Sequence, residues 1–101
     1  MEDAALLDAY LTAPGKRAAL RRMMVTCEAE GVERLQKTAV QRYARGTLTL
    51  TELKLFAHDL AAVCPGQDGQ RLYLALSSAR ECCVRNANIE ARQLLQDWLT
   101  S

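Results

Sequence analysis

The chain has 101 residues, of which 50% are apolar and 25% are charged. This composition is ordinary for a globular protein and excludes a disordered chain, and the length predicts a single domain over residues 1–101. No apolar run reaches the ~18 residues of a membrane span, and the acidic N-terminus is unlike a secretory signal. We therefore expect a cytoplasmic protein that does not contact a membrane.

The balance of charges argues against a dedicated nucleic-acid module. Thirteen Lys and Arg residues oppose twelve Asp and Glu residues, for a net charge of +1 and a pI of 7.7. Nucleic-acid-binding domains usually have a pI above ~9. Strong acidity is missing as well, so mimicry of a phosphate backbone is not expected either.

The four cysteines, Cys27, Cys64, Cys82 and Cys83, have no C-x-x-C spacing. On a helix the adjacent Cys82 and Cys83 would diverge by about 100°, so they are poorly placed to share one metal ion. A zinc site formed by His58, Cys64 and one of this pair has no supporting spacing. Because unpaired cysteines usually pack as small apolar side chains, we predict no metal and no cofactor.

Two helical segments are predicted in the first half of the chain. The first is Glu2–Thr12, which an Ala-Pro-Gly sequence ends. The second is Lys16–Arg45, interpreted either as one helix of ~30 residues or as two helices hinged at Gly31. One helix is favoured, because no other helix breaker is near. Gly46 follows it as the expected C-terminal glycine.

The start of the next helix has two reciprocal signals. Thr49 and Glu52 have the T-x-x-E spacing of a capping box, in which each side chain accepts a backbone N–H of the other residue. Leu48 and Leu53 have the spacing of the hydrophobic staple that accompanies such a cap. These signals predict a helix over Leu50–Val63.

The last segment, Gly69–Leu99, is also helical in pattern. Asp68 is the expected N-cap, and a break near residues 86–88 would make Asn88 a second N-cap. Together the elements predict an all-α fold, a compact single-domain bundle of about four to six helices with no strand.

No pattern in the sequence indicates catalysis. His58 is the single histidine, and its neighbour Asp59 would point elsewhere on a helix, so the two are not expected to form a dyad. P-loop, G-x-G-x-x-G, H-E-x-x-H and G-x-S-x-G motifs are absent. We therefore predict a non-enzymatic protein, with a thiol or metal sensor as a further hypothesis.

Two basic stripes support an alternative function, a nucleic-acid-binding regulator. Residues within Lys16–Arg22 and Arg34–Arg45 recur at helical spacing, so they could follow phosphates or steer a partner. Glu30 and Glu33 are placed to neutralise part of the second stripe. The candidate polyanion-binding or steering residues are Arg17, Arg21, Arg22, Arg34, Lys37 and Arg45.

The surplus of apolar residues favours a different function. The Leu50–Val63 helix is apolar over most of its circumference, which is typical of a helix shared with a partner. We therefore expect a small protein-binding module: an adaptor, a chaperone-like binder or an inhibitor of a larger assembly, of the kind a phage or mobile element encodes. A homodimer is a further expectation. The predicted anchors are Leu55, Phe56, Tyr73, Leu95, Trp98 and Leu99.

Overall fold

A computed structural model describes residues 3–25, 29–77 and 84–100. Every regular element in these ranges is an α-helix, which confirms the all-α prediction, and the helices number seven rather than four to six. No helix within the described ranges is both long and apolar enough to cross a membrane. The helices are α1 Asp3–Thr12, α2 Lys16–Met24, α3 Ala29–Ala44, α4 Leu50–Val63, α5 Gln67–Ser77, α6 Val84–Leu94 and α7 Gln96–Thr100.

The favoured single helix over Lys16–Arg45 is wrong, because the segment forms α2 and α3. The separation also precedes the predicted hinge, since Gly31 is buried inside α3. The reason lies in the packing. Helix α2 lies against α1 and α4, whereas α3 lies against α1, α4, α5 and α7. Dividing the segment lets α3 pack on α5 and α7 in addition to the two neighbours that it shares with α2.

The C-terminal segment also divides differently from the prediction. Asp68 lies in the first turn of α5 and is not its N-cap, because the helix already begins at Gln67. Asn88 lies inside α6, where its side-chain oxygen accepts a hydrogen bond of 2.6 Å from the Tyr43 hydroxyl. A long-range contact, which local spacing does not reveal, therefore accounts for this asparagine.

The predicted start of α4 is confirmed. The Thr49 hydroxyl oxygen accepts from the Glu52 N–H at 3.1 Å, and the Glu52 carboxylate accepts from the Thr49 N–H at 3.0 Å. Leu48 and Leu53, the predicted staple, are both buried in the core. The cap thus fixes where α4 begins and which side of it turns inward.

Gly46 ends α3 as predicted. Its φ of +83° is a left-handed conformation that side chains disfavour, so glycine suits the position. The Gly46 N–H donates to the Tyr43 carbonyl at 3.1 Å, and the Thr47 N–H donates to the Arg42 carbonyl at 3.0 Å. This pair of bonds is a Schellman motif, and it gives hydrogen bonds to carbonyls at the helix end that would otherwise lack a backbone partner.

Helix α4 contacts α2, α3 and α5 and contributes much of the core. Phe56 on α4 meets Tyr10 on α1 edge to face, with ring centroids 5.4 Å apart. Further buried side chains come from every helix between α1 and α7. The largest fully buried ones are Tyr10, Phe56, Leu7, Leu20, Leu35, Leu53, Leu60, Leu72, Leu95, Gln36 and Val40.

Candidate functional site

Helices α4 and α5 are joined by a short connection and approach each other closely at that end. A Cβ atom added to Gly69 would lie 2.1 Å from the Cys64 carbonyl oxygen and 2.5 Å from the Cys64 Cβ. Only glycine fits this approach without moving one helix away from the other. The sequence therefore holds the connected ends together through Gly69.

Gln36 fixes the beginning of α5 to α3. Its side chain is fully buried, donates to the Asp68 carbonyl at 2.7 Å and accepts from the Leu72 N–H at 3.0 Å. Sequence reasoning missed this residue, because a glutamine in a helical pattern is ordinarily solvent-exposed. Its position on the buried stripe between Leu35 and Val40 was the available signal.

Farther from the connection, a groove with a volume of about 690 Å³ opens between α4 and α5. Leu55 on α4 and Tyr73 on α5 keep 45% and 40% of their surface exposed beside it. Both were predicted as protein-binding residues, and the structure brings them to one site. Leu74, 59% exposed and next to Tyr73 in sequence, was not among the predicted anchors. The groove is lined by Lys54, Leu55, Ala57, His58, Tyr73, Leu76 and Ser77.

The side of α4 that faces α1 and α2 is sealed by a polar contact. The Asp59 carboxylate is buried and accepts from the Tyr10 hydroxyl at 2.6 Å and from Arg17 Nε and Nη2 at 3.3 and 3.2 Å. Burial, and next the hydrogen bond to Asp59, raise the pKa of Tyr10 far above its ordinary value. Through this carboxylate, α1 and α2 are both joined to α4.

His58 lies between this buried contact and the groove. Arg17 Nη2 is 3.3 Å from His58 Nδ1, and a guanidinium can only donate, so the neutral imidazole carries its proton on Nε2. The His58 ring packs edge to face on Tyr73, with centroids 5.9 Å apart. His58 Nδ1 and an Asp59 oxygen are separated by 3.9 Å, which is too long for the hydrogen bond of a dyad.

The other predicted anchors do not lie on the surface that was expected. Phe56, Leu95 and Trp98 are buried in the core, so the prediction that they present an exposed apolar surface is corrected. Trp98 is covered on one ring face by the Arg71 guanidinium, 4.5 Å from the ring centroid. The side chain of Leu99 lies outside the described part of the chain.

Two arginines of α3 are paired with acids of α1, and one of them, Arg34, belongs to the predicted basic stripe. Arg34 contacts Asp3 at 3.4 Å, and Arg42 contacts Asp8 at 2.6 Å. The hydrogen bond from Arg42 lowers the pKa of Asp8. Arg34, which Glu30 and Glu33 were expected to neutralise within α3, therefore meets an acid of a neighbouring helix. Glu33 bonds instead to an arginine of α5.

The remaining basic residues differ in their surroundings. Arg17 bonds to Asp59 and is half-exposed. Arg21 and Arg22 are exposed on α2, and neither has an ion pair with another residue in the described ranges. Lys37 is half-buried on α3, and Arg45 is exposed just beyond its end. The predicted polyanion-binding residues thus lie on separate helices with different partners.

No cluster of three metal-ligating side chains occurs among the residues that the structure describes. Cys64 is half-buried against the core next to the α4–α5 connection. Cys27, Cys82 and Cys83 lie outside the described residues, and so does the part of the zinc hypothesis that uses them.

Comparison with known proteins finds no matching family model, no matching curated protein and no matching solved structure.

Proposed function

We propose that this protein is a non-enzymatic protein-binding module that takes an apolar segment of another polypeptide into the groove between α4 and α5. The exposure of Leu55 and Tyr73 on opposite sides of one groove supports the proposal most directly. Covering apolar surface releases roughly 25 cal/mol per Å², so two such side chains favour a partner that buries them together. An adaptor, a cytoplasmic chaperone-like binder and an inhibitor would all use this surface in the same way.

The shape of the site also fits a binding role. Gly69 and Gln36 fix α5 at its connected end, so the groove walls are positioned before a partner arrives. A preformed groove loses less conformational entropy on binding than one that must be ordered by its ligand. Aromatic and leucine side chains with a few polar groups at the edge are typical of binding surfaces for helices.

Site-specific photo-crosslinking in the native host tests this function. A photoreactive amino acid at position 55 should capture a partner polypeptide, whereas the same group at the exposed Ala9 of α1 should not. The substitution Tyr73→Ser, added to the position-55 probe, should abolish the capture. Equal capture from both positions would contradict the proposal, and capture of a second copy alone would assign the groove to a homodimer.

Helix α2 supports a second candidate function, binding of nucleic acid. Arg21 and Arg22 are exposed there without an ion pair in the described ranges, so they could contact phosphates. Titration with duplex DNA at two salt concentrations distinguishes the two functions. Tight binding that weakens steeply with salt would favour nucleic acid, and an absence of binding at low salt would eliminate it.

A further inference from the structure

We infer that His58 is an acid-sensitive switch between the buried contact at Asp59 and the α4–α5 groove. When its ring gains a second proton, the ring displaces one N–H of Arg17 from Asp59 and leaves its place against Tyr73. This exchange takes place in the free protein. Its effect on binding rests on the proposed function, because His58 and Tyr73 both line the groove.

The ionisable groups around His58 come from four helices. They are Arg17 of α2, Lys54 and Asp59 of α4, Tyr73 of α5 and, on the far side of the Asp59 carboxylate, Tyr10 of α1. No other hydrogen bond, ion pair or ring contact joins His58 to the described residues beyond those with Arg17, Asp59 and Tyr73. Histidine is the only one of these residue types whose charge ordinarily changes between about pH 8 and about pH 5. Mild acid therefore acts on this cluster through His58.

The contact between Arg17 and the His58 ring requires a neutral imidazole. Arg17 Nη2 lies 3.3 Å from His58 Nδ1, and a guanidinium has only donors, so Nδ1 accepts. In the imidazolium both ring nitrogens carry a proton, so Nδ1 no longer accepts and two cations are in contact. A second proton on the ring therefore breaks this bond and pushes the two side chains apart.

The nearest acceptor for the new Nδ1–H is an oxygen that Arg17 already occupies. Asp59 Oδ1 is 3.9 Å from His58 Nδ1, and it accepts from Arg17 Nε and Nη2 at 3.3 and 3.2 Å. The Tyr10 hydroxyl donates to the other oxygen, Oδ2, at 2.6 Å. Because a carboxylate oxygen has about two lone-pair sites, both sites of Oδ1 are in use. The ring can form a hydrogen bond by approaching about 1 Å, and only by replacing one N–H of Arg17.

The different exposure of the two partners makes this exchange feasible. The Asp59 side chain is only 7% exposed, so its charge needs a cationic donor in both states. The Arg17 side chain is 48% exposed, so water can bond to the N–H group that it withdraws. The carboxylate stays paired while the identity of its donor changes.

The exchange reaches the groove through Tyr73. The His58 ring packs edge to face on the Tyr73 ring, with centroids 5.9 Å apart, which is within the range of an attractive aromatic pair. A ring drawn toward Asp59 on α4 moves away from this contact with α5. The imidazolium also brings a charge to the groove, and covering that charge with an apolar partner is unfavourable. Acid should therefore weaken the binding of an apolar segment.

NMR of the labelled full chain tests the exchange without a partner. We expect the Arg17 Nε–H signal to move, from about pH 8 to about pH 5, toward that of Arg22, an exposed arginine of the same helix. The proton contact between the rings of His58 and Tyr73 should weaken over the same transition. In His58→Gln, whose amide oxygen can accept from Arg17 at every pH, the Arg17 signal should stay constant.

Three results would overturn the exchange. The first is a His58 ring that gains its second proton while the Arg17 signal stays constant. The second is an equal movement of the Arg17 signal in His58→Gln, because another group would then be responsible. The third is a ring that stays neutral over the whole range.

A peptide titration tests the effect on the groove. The probe is a synthetic helical peptide with a leucine stripe and uncharged flanking residues, and fluorescence anisotropy measures its affinity at about pH 7.5 and about pH 5.5. Wild type should bind at least about threefold more weakly in acid, and His58→Gln should bind equally at both pH values. Equal affinities in wild type would refute the effect on binding. If the peptide binds at neither pH, the proposed function is contradicted, and the Arg17 signal still decides whether the exchange occurs.

Discussion

Helix α4 has two faces that each present an apolar and a polar side chain, and one face is buried whereas the other is exposed. The inner face presents Phe56 and Asp59, which are buried against α1 and α2. The outer face presents Leu55 and His58, which remain exposed beside the groove. The difference teaches that an apolar residue of α4 becomes core or binding surface according to which helix covers it. The following predictions test whether the inner face, called the sealed face below, provides stability and whether the outer face, called the open face, provides binding.

The largest effect is expected at the centre of the sealed face. Asp59→Ala removes the acceptor of the buried Tyr10 hydroxyl and of Arg17, and should lower the free energy of unfolding by about 2–4 kcal/mol. The range is below that of a fully buried ion pair, because Arg17 is half-exposed. Urea denaturation measures the change, and Asp97→Ala, at an exposed site, is the control. A loss under about 1 kcal/mol would show that this contact does not hold the sealed face.

The next effect concerns the close approach of α4 and α5 at Gly69. Gly69→Ala should destabilise the protein by about 1–3 kcal/mol, because the new Cβ would meet the Cys64 backbone. Without that close approach, the same change inside a helix would stabilise the protein by up to ~1 kcal/mol. The sign of the measured effect therefore shows whether the new Cβ meets the Cys64 backbone. Gly66→Ala, just before α5, is the comparison: a Cβ there meets nothing within 4 Å, so any loss comes from its position at the start of the helix and not from a clash. Thermal melts of both variants would provide the comparison.

The sealed face should also make stability depend on alkaline pH. Burial raises the pKa of Tyr10 above its ordinary value of 10.0, so the folded state keeps a proton that the unfolded state releases. The stabilisation is complete below pH 10 and should decline as the pH rises above it. Tyr10→Phe should show a shallower decline over the same range. Identical slopes in urea titrations of the two proteins would refute the burial of this phenol.

The smallest effect on stability is expected on the open face. Leu55→Ser and Tyr73→Ser alter side chains that are about half exposed, and each should lower the free energy of unfolding by about 1 kcal/mol. Capture of the partner from position 55 should nevertheless be lost in the Tyr73 variant. A loss of stability comparable to that of Asp59→Ala would place these residues in the core and remove the distinction between the faces.

Local signals allowed the sequence to predict much of the fold. The capping box at Thr49, the glycine after α3 and the bounds of α4 depend on residues within a few positions of one another, and all are confirmed. The division of the Lys16–Arg45 segment was wrong, because α2 and α3 are separate helices and Gly31, the predicted hinge, lies inside α3. Helix α3 shares two neighbours with α2 and packs on α5 and α7 as well, and such contacts are not visible in local spacing.

The candidate site was less predictable, since its geometry depends on contacts distant in sequence. Asp59 bonds to Tyr10 across 49 positions, and Gln36 bonds to Leu72 across 36. Without these pairings, the sequence indicates that α4 has surplus apolar surface but not which side stays open. That is why Leu55 and Tyr73 were predicted in the same set as Phe56, Leu95 and Trp98, which the structure places in the core.

An NMR titration of isotopically labelled protein with a synthetic helical peptide that carries a leucine stripe tests the central claim most directly. The account predicts that amide shifts concentrate at Lys54–His58 on α4 and Tyr73–Ser77 on α5, the residues that form the groove. Shifts confined to α1 and α3, or no shifts at peptide concentrations that saturate binding, would contradict it.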